Sequence, residues 1–326
     1  MILLFLGCHR DIPNSITIAG EAQGTSYHIT YLAGEHSNYR QSFDSLFRQI
    51  DLSLSTYDSS SLVSKINRND TTGNVDHYFS DVFNKSMEVS QKTTGLFDIT
   101  VAPVINAYGF GFTKRQRVTN LLIDSLIRFV GYKKVRLVNN RLVKEMPQVM
   151  LDFNAIAQGY TVDVLASFLE GKGIKNYMVE VGGELRAKGK KLNDSAWTVG
   201  IQMPSENEEE ASSLFARIRM NNKSLATSGN YKKFYVEDGK KYSHIINPFT
   251  GYPAKNNLLS ATVIANDCMT ADAYATSFMV MGLEKSKQFL LENKDLHLEV
   301  FFIYDDHGVL KKYATKYFEQ NREAGP

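Results

Sequence analysis

The feature that most restricts this chain is a pair of glycines in its middle, Gly182-Gly183, set between two short segments that read as strands. Tyr177–Val181 runs into the glycines and Glu184–Ala187 leaves on the far side. A strand that reverses over so few residues pairs with its sequence neighbour, which is antiparallel geometry; a parallel pair needs a crossover of a dozen residues or more. Helical patterns elsewhere then point to an α+β fold, with mixed, largely antiparallel sheets packed against helices, and not to a regular βαβ alternation.

The remaining segments fit that class. Ser26–Ala33 alternates Tyr27, Ile29 and Tyr31 with polar neighbours and reads as a strand. Phe43, Leu46, Phe47 and Ile50 recur at helical spacing, in a helix that ends before Leu54-Ser55-Thr56-Tyr57. Asp81–Thr93 reads as a second helix, stopped by Gly95. Val149–Phe153 has the apolar run of a buried strand, and Asn154 is placed to cap a helix with Ile156, Tyr160, Val164 and Phe168 on its apolar face. Lys241–Ile246 and Ser260–Ala265 read as strands, and a helix is expected from Asp267 or Thr270 to about Asn293. Leu298–Tyr304 and Val309–Ala314 close the chain as a hairpin.

The 326 residues accommodate one large domain or two interleaved ones. The N-terminus reads as a signal remnant over residues 1–8, with Gly7-Cys8 resembling a lipoprotein acylation site, then an exposed tether over 9–20 and one body over 21–326. The apolar start is too short to span a bilayer, which takes ~20 residues. A net charge of +2 without a long Lys/Arg run argues against nucleic acid as a partner. With Cys8 and Cys268 alone, neither a disulfide framework nor a cysteine-based zinc site is possible. The acidic run over 205–211 reads as a solvated loop.

Three places could carry chemistry. Asp272 and Thr276 lie four apart in a helix and share a face, and their oxygens suit Mg2+ better than zinc. An Asp stabilised by the helix dipole, with a Thr packed among Ala271, Ala275 and Phe278, explains the pair at least as well. Asp152-Phe153-Asn154-Ala155-Ile156-Ala157-Gln158-Gly159 leads through small residues into a helix start, where free N–H groups can meet a diphosphate. Gly182-Gly183 permits close backbone approach, or is simply a turn. The sequence has no G-x-S-x-G, H-E-x-x-H, C-x-x-C, Walker or G-x-G-x-x-G pattern, and among seven histidines only His244 adjoins a loop of functional character.

Eight blocks stand in order along the chain: Gly24-Thr25-Ser26-Tyr27, Leu54-Ser55-Thr56-Tyr57, Gly95–Val101, Asp152–Asp163, Val179–Glu184, Thr227–Tyr231, His244–Gly251 and Ala271–Thr276. Taken together they resemble the FAD:protein FMN transferases, the ApbE/Ftp lipoproteins. The resemblance implies an ApbE-like fold with an FAD cleft between two lobes. It implies Mg2+ held by Asp272, Thr276 and the Ala155 carbonyl with Ala275 adjacent, and flavin or phosphate contacts from Gln23, Tyr57, Leu96, Phe97, Asp98, Asp152, Gln158 and Ile246. Gln158 stands where the family often has Lys, and Asn247 where it often has Asp. An aromatic residue at Tyr57 resembles the transferases, whereas relatives with Asn there look like FAD pyrophosphatases.

The implied reaction moves FMN from FAD to a threonine hydroxyl of a target protein and releases AMP. His244 is the expected base by residue type and Asp98 the alternative. Target proteins would be membrane electron-transfer subunits, met in the bacterial periplasm by an enzyme anchored through a lipid on Cys8. The rival readings are FAD hydrolysis to FMN and AMP, and a periplasmic flavin-binding lipoprotein without turnover.

Overall fold

The structure, a computed structural model, describes residues 14–34, 37–70, 73–204, 214–230, 234–237 and 240–323. Cys8 and the acidic run over 205–211 lie outside them. In chain order the strands are β1 (Asn14–Ala22), β2 (Thr25–Ala33), β3 (Val135–Val138), β4 (Arg141–Lys144), β5 (Tyr177–Val181), β6 (Glu184–Lys188), β7 (Trp197–Gln202), β8 (Leu214–Met220), β9 (Lys223–Gly229), β10 (Phe234–Glu237), β11 (Lys240–Ser243), β12 (Leu258–Ala265), β13 (Glu299–Asp306) and β14 (Val309–Ala314). The helices are α1 (Arg40–Leu54), α2 (Leu62–Asn67), α3 (His77–Lys92), α4 (Ala102–Tyr108), α5 (Asn120–Leu126), α6 (Ala157–Gly171), α7 (Cys268–Met281), α8 (Leu283–Glu292) and α9 (Lys316–Asn321).

Eight strands form one sheet in the order β1-β2-β5-β6-β9-β12-β13-β14. Every neighbouring pair in it is antiparallel, the β5–β6 pair across Gly182-Gly183 among them. Alternation along the strands gives the sheet two apolar faces. On one face, Tyr27, Ile29, Val179, Ala226, Val263 and Val300 pack beneath α1, α3, α6 and α7. On the other, Leu185, Leu225, Ile264 and Phe301 are covered by the β7–β8 hairpin and α9. A smaller aromatic cluster joins α4 and α5 to the β10–β11 hairpin.

Phe278 anchors the helical side. It is fully buried, with ring centroids 5.4 Å from Phe302 and 5.8 Å from Phe289. Phe278→Ala should cost about 3–5 kcal/mol in urea unfolding; a loss below about 1 kcal/mol would show that the layer repacks freely.

Four sequence expectations change. Residues 14–20, expected within the tether, belong to β1, because Ile18 is buried and the whole strand pairs with β2. Val149–Phe153 is buried and extended but forms only an isolated parallel bridge, Val101 with Met150. The next helix is not capped by Asn154: Asp152 Oδ1 accepts the Asn154 N–H at 2.7 Å, tightening a turn that delays α6 to Ala157. The helix expected from Asp267 to Asn293 is two helices, since Gly282 adopts φ +76° between α7 and α8.

Candidate active site

A cavity of about 340 Å³ opens between the sheet-and-helix body and the aromatic cluster of α4, α5 and β10–β11. Its floor is made where α6 and α7 meet. Asp267 Oδ1 caps α7 through the Thr270 N–H at 2.8 Å, which places Asp272 and Thr276 on successive turns above it. Asp272 is 6% exposed, and its Oδ2 accepts the Gly159 N–H at 3.0 Å. Burial raises its pKa well above the ordinary carboxylate value. The Thr276 and Ser228 hydroxyls are 3.0 Å apart. Asp272, Thr276 and Ala155 all line the cavity, whereas Ala275 does not: it is fully buried in the core beneath them.

The expected flavin contacts converge on the same space. Gln23, Tyr57, Leu96, Phe97, Asp98, Asp152, Gln158 and Ile246 line it, as does His244. Gln23 is held at the β1–β2 turn with φ +55° while its amide donates to Asp51 Oδ1 at 3.1 Å. Tyr57 is 64% exposed at the mouth; partial burial first, and the Asp152 carboxylate second, raise its phenol pKa. His244 meets the edge of Phe110, with ring centroids 6.2 Å apart.

Asp98 is differently employed. Its Oδ1 accepts from the Thr100 N–H (2.8 Å) and hydroxyl (2.6 Å), and its Oδ2 from the Tyr132 N–H (2.7 Å). Burial still raises its pKa, but a carboxylate engaged by three donors braces the loop more readily than it takes a proton. His244 is the better candidate base.

The helix start also differs from expectation. Within 154–159, the N–H groups of Asn154, Ile156, Ala157 and Gly159 are already bonded, to Asp152, Phe153 (twice) and Asp272. The Gln158 amide donates to the Val181 carbonyl at 3.2 Å. Little of the helix end is left for a diphosphate. Asp98, Asp152, Glu184 and Asp272 line the cavity, and its described lining contains neither Lys nor Arg.

That charge balance suits a bound metal ion. Among the described residues no three His, Cys, Asp or Glu side chains group to hold one, so a metal here takes neutral oxygens beside a carboxylate. Asp272, with one oxygen held by Gly159, lines the cavity together with Thr276 and Ala155; a carboxylate, a hydroxyl and a backbone carbonyl are the hard oxygens that Mg2+ takes.

The sequence reading did not assign Glu184, Ser228 or Phe110 to the site. Glu184 follows the glycine turn and is 8% exposed in the cavity wall; its signal was an acidic residue placed directly after a forced reversal. Ser228, one residue before the end of β9, meets α7 through the Thr276 hydroxyl, a contact that depends on how β9 packs against that helix.

The profile of the ApbE family matches residues 23–302, which contain every one of these cavity residues. The chain belongs to the ApbE family. Family relatives named FAD:protein FMN transferase include one from Haemophilus influenzae, 33% identical over 97% of this chain and 94% of its own. Another, from Escherichia coli K12, is 30% identical over 97% and 94%. The solved structure of the flavin transferase ApbE from Vibrio cholerae superposes with a TM-score of 0.85 at 32% identity, covering 95% of this chain and 99% of that one.

Proposed function

We propose that this family member is a Mg2+-dependent FAD:protein FMN transferase, which passes FMN from FAD to a threonine hydroxyl of a target protein and releases AMP. The observation that carries this reading is one cavity uniting Asp272, Thr276 and Ala155 with Tyr57 and His244, in a chain matching nearly the full length of proteins so named.

Asp272, Thr276 and the Ala155 carbonyl would hold the metal. Bound Mg2+ supplies positive charge against the FAD diphosphate and the departing AMP. The chain's own groups do the rest. A cavity of about 340 Å³ is near the small end of the ~300–1,000 Å³ range of ligand pockets, so it encloses part of a dinucleotide and leaves the remainder at the mouth. There the exposed Tyr57 offers a ring on which a flat heterocycle can stack and exclude water. His244 accepts the proton of the attacking threonine hydroxyl. Asp98 holds the 98–100 turn and Tyr132 in place behind the flavin contacts Leu96 and Phe97.

His244→Ala should lower transfer by about 10²–10⁴-fold while leaving FAD binding near wild type. Turnover within a fewfold of wild type would remove the base role and leave His244 as a brace against Phe110. The metal requirement is tested by following AMP from FAD with Mg2+ and then with EDTA: the reading expects AMP only with the metal, and undiminished AMP under EDTA contradicts it.

We further propose that Cys8 carries the lipid anchor, which would hold the enzyme outside the cytoplasm beside membrane-bound electron-transfer subunits. The support is the apolar run ending in Gly7-Cys8. Among the described residues no helix is long and apolar enough to cross a membrane. Replacing Cys8 by Ser should release the protein from membranes, and retention there would contradict the anchor.

A further inference from the structure

Two carboxylates join α6 and α7 in opposite directions. From α7, Asp272 accepts the Gly159 N–H of α6 at 3.0 Å. From α6, Asp163 accepts the Cys268 N–H at 3.0 Å and the Met269 N–H at 2.8 Å, both in the first turn of α7. Gly159 and Asp163 are four residues apart, as are Cys268 and Asp272. On each helix, then, donor and acceptor sit one turn apart on the same face, and the two links make a closed frame. Asp267 already caps α7 through Thr270, so Asp163 is not needed merely to start the helix; it fixes where that helix stands against α6.

A third element enters through Arg186 of β6. Its guanidinium reaches Asp163 Oδ1 at 3.1 Å and Glu170 Oε1 at 3.3 Å. Arg186 is two residues beyond Glu184, which itself lines the cavity. The frame therefore joins the three pieces that carry Ala155 and Gln158, Asp272 and Thr276, and Glu184.

We propose that Asp163 is a positioning residue for the cation site: through the Cys268 and Met269 N–H groups it sets the height of Asp272 and Thr276 relative to the Ala155 carbonyl. The inference rests on the reading of Asp272 as a metal ligand. Without Asp163, one polar link between the two helices remains, and that link is Asp272 itself, which must also hold the cation. An amide at 163 presents an N–H₂ group toward Arg186 or one of the α7 N–H donors, so Asp163→Asn opens the frame while nearly preserving volume.

The test uses the full chain with Mn2+ as the probe, titrated by the EPR signal of free Mn2+. Asp163→Asn should weaken Mn2+ binding by at least about 10-fold, the scale set by outer partners of metal ligands, and raising Mg2+ should restore its turnover. Ile218→Ala, in the layer under β7–β8 away from the cavity, serves as a control of similar melting temperature and should bind Mn2+ within twofold of wild type. A folded Asp163→Asn protein with wild-type Mn2+ affinity overturns the proposal, as does an equal loss in the control. If Asp163→Asn does not fold, Arg186→Gln takes its place: at least threefold weaker binding supports the frame and unchanged binding overturns it. Failure of the unaltered protein to bind Mn2+ would instead remove the metal reading, and this inference with it.

Discussion

Asp272→Asn should abolish FMN transfer and at the same time make the metal-free protein more stable at alkaline pH. The first effect follows from the removal of the sole carboxylate in the proposed Mg2+ set; transfer should fall by about 10³-fold, equivalent to ~4 kcal/mol of transition-state stabilisation. The second follows from burial. The pKa of Asp272 in the folded protein is raised from 3.8 to about 7, chiefly by desolvation, with the Gly159 N–H pulling the other way. The folded state therefore holds this proton more tightly than the unfolded state does. The stability so contributed is complete below the unfolded value and is lost as pH rises through about 7. An Asn at 272 keeps an acceptor for Gly159 and never ionises, so it escapes that loss. Without metal at pH 8 the variant should melt roughly 2–4 °C above wild type, with the gap narrowing as pH falls below about 7 and closing only near 3.8. Added Mg2+ should stabilise only the wild type. A variant less stable than wild type at pH 8 without metal would mean that the Asp272 charge is already compensated within the protein.

Gly159→Ala should be a damaging single-methyl change in the site. A Cβ there would lie 2.4 Å from the Cys268 carbonyl oxygen and 2.8 Å from the Asp272 Cβ. The first of these is backbone in the opening turn of α7 and cannot swing aside. Expected costs are about 2–3 kcal/mol in stability and a large loss of transfer, because the same displacement moves Asp272. Gly171, at the other end of α6, is the internal comparison, for a Cβ there meets nothing within 4 Å. Gly171→Ala should therefore be neutral or stabilising by up to about 1 kcal/mol, as helix propensity alone dictates. Equal behaviour of the two variants in urea unfolding and activity would show that close approach of α6 to α7 is not what position 159 requires.

The antiparallel sheet was legible because its signals are local. Gly182-Gly183 forces β5 and β6 together, and Tyr27, Ile29 and Tyr31 alternate cleanly in β2. Where neighbours in space decide, sequence periodicity misled. Ile16 and Ile18 looked like part of a tether because the strand that pairs with them lies beyond a turn made by Gln23 and Gly24, both at positive φ. The start of α6 was misplaced because Asp152, not Asn154, supplies the local acceptor. At the site, the resemblance identified residues that the cavity does bring together, with Ala275 the exception. It carried no information on how the helix-start N–H groups are engaged, or on the Asp163–Arg186 connection, since both depend on the packing of α6 against α7.

Transfer of FMN to protein is read out by mass spectrometry of an acceptor. The full chain, FAD, Mg2+ and a threonine-bearing acceptor peptide are incubated together while AMP is followed. A transferase yields a peptide heavier by one FMN less water, with AMP formed in step and no adduct on the same peptide with Thr replaced by Ala. AMP and free FMN with an unmodified peptide, across acceptors drawn from flavinylated membrane subunits, would contradict transfer and leave FAD hydrolysis as the activity.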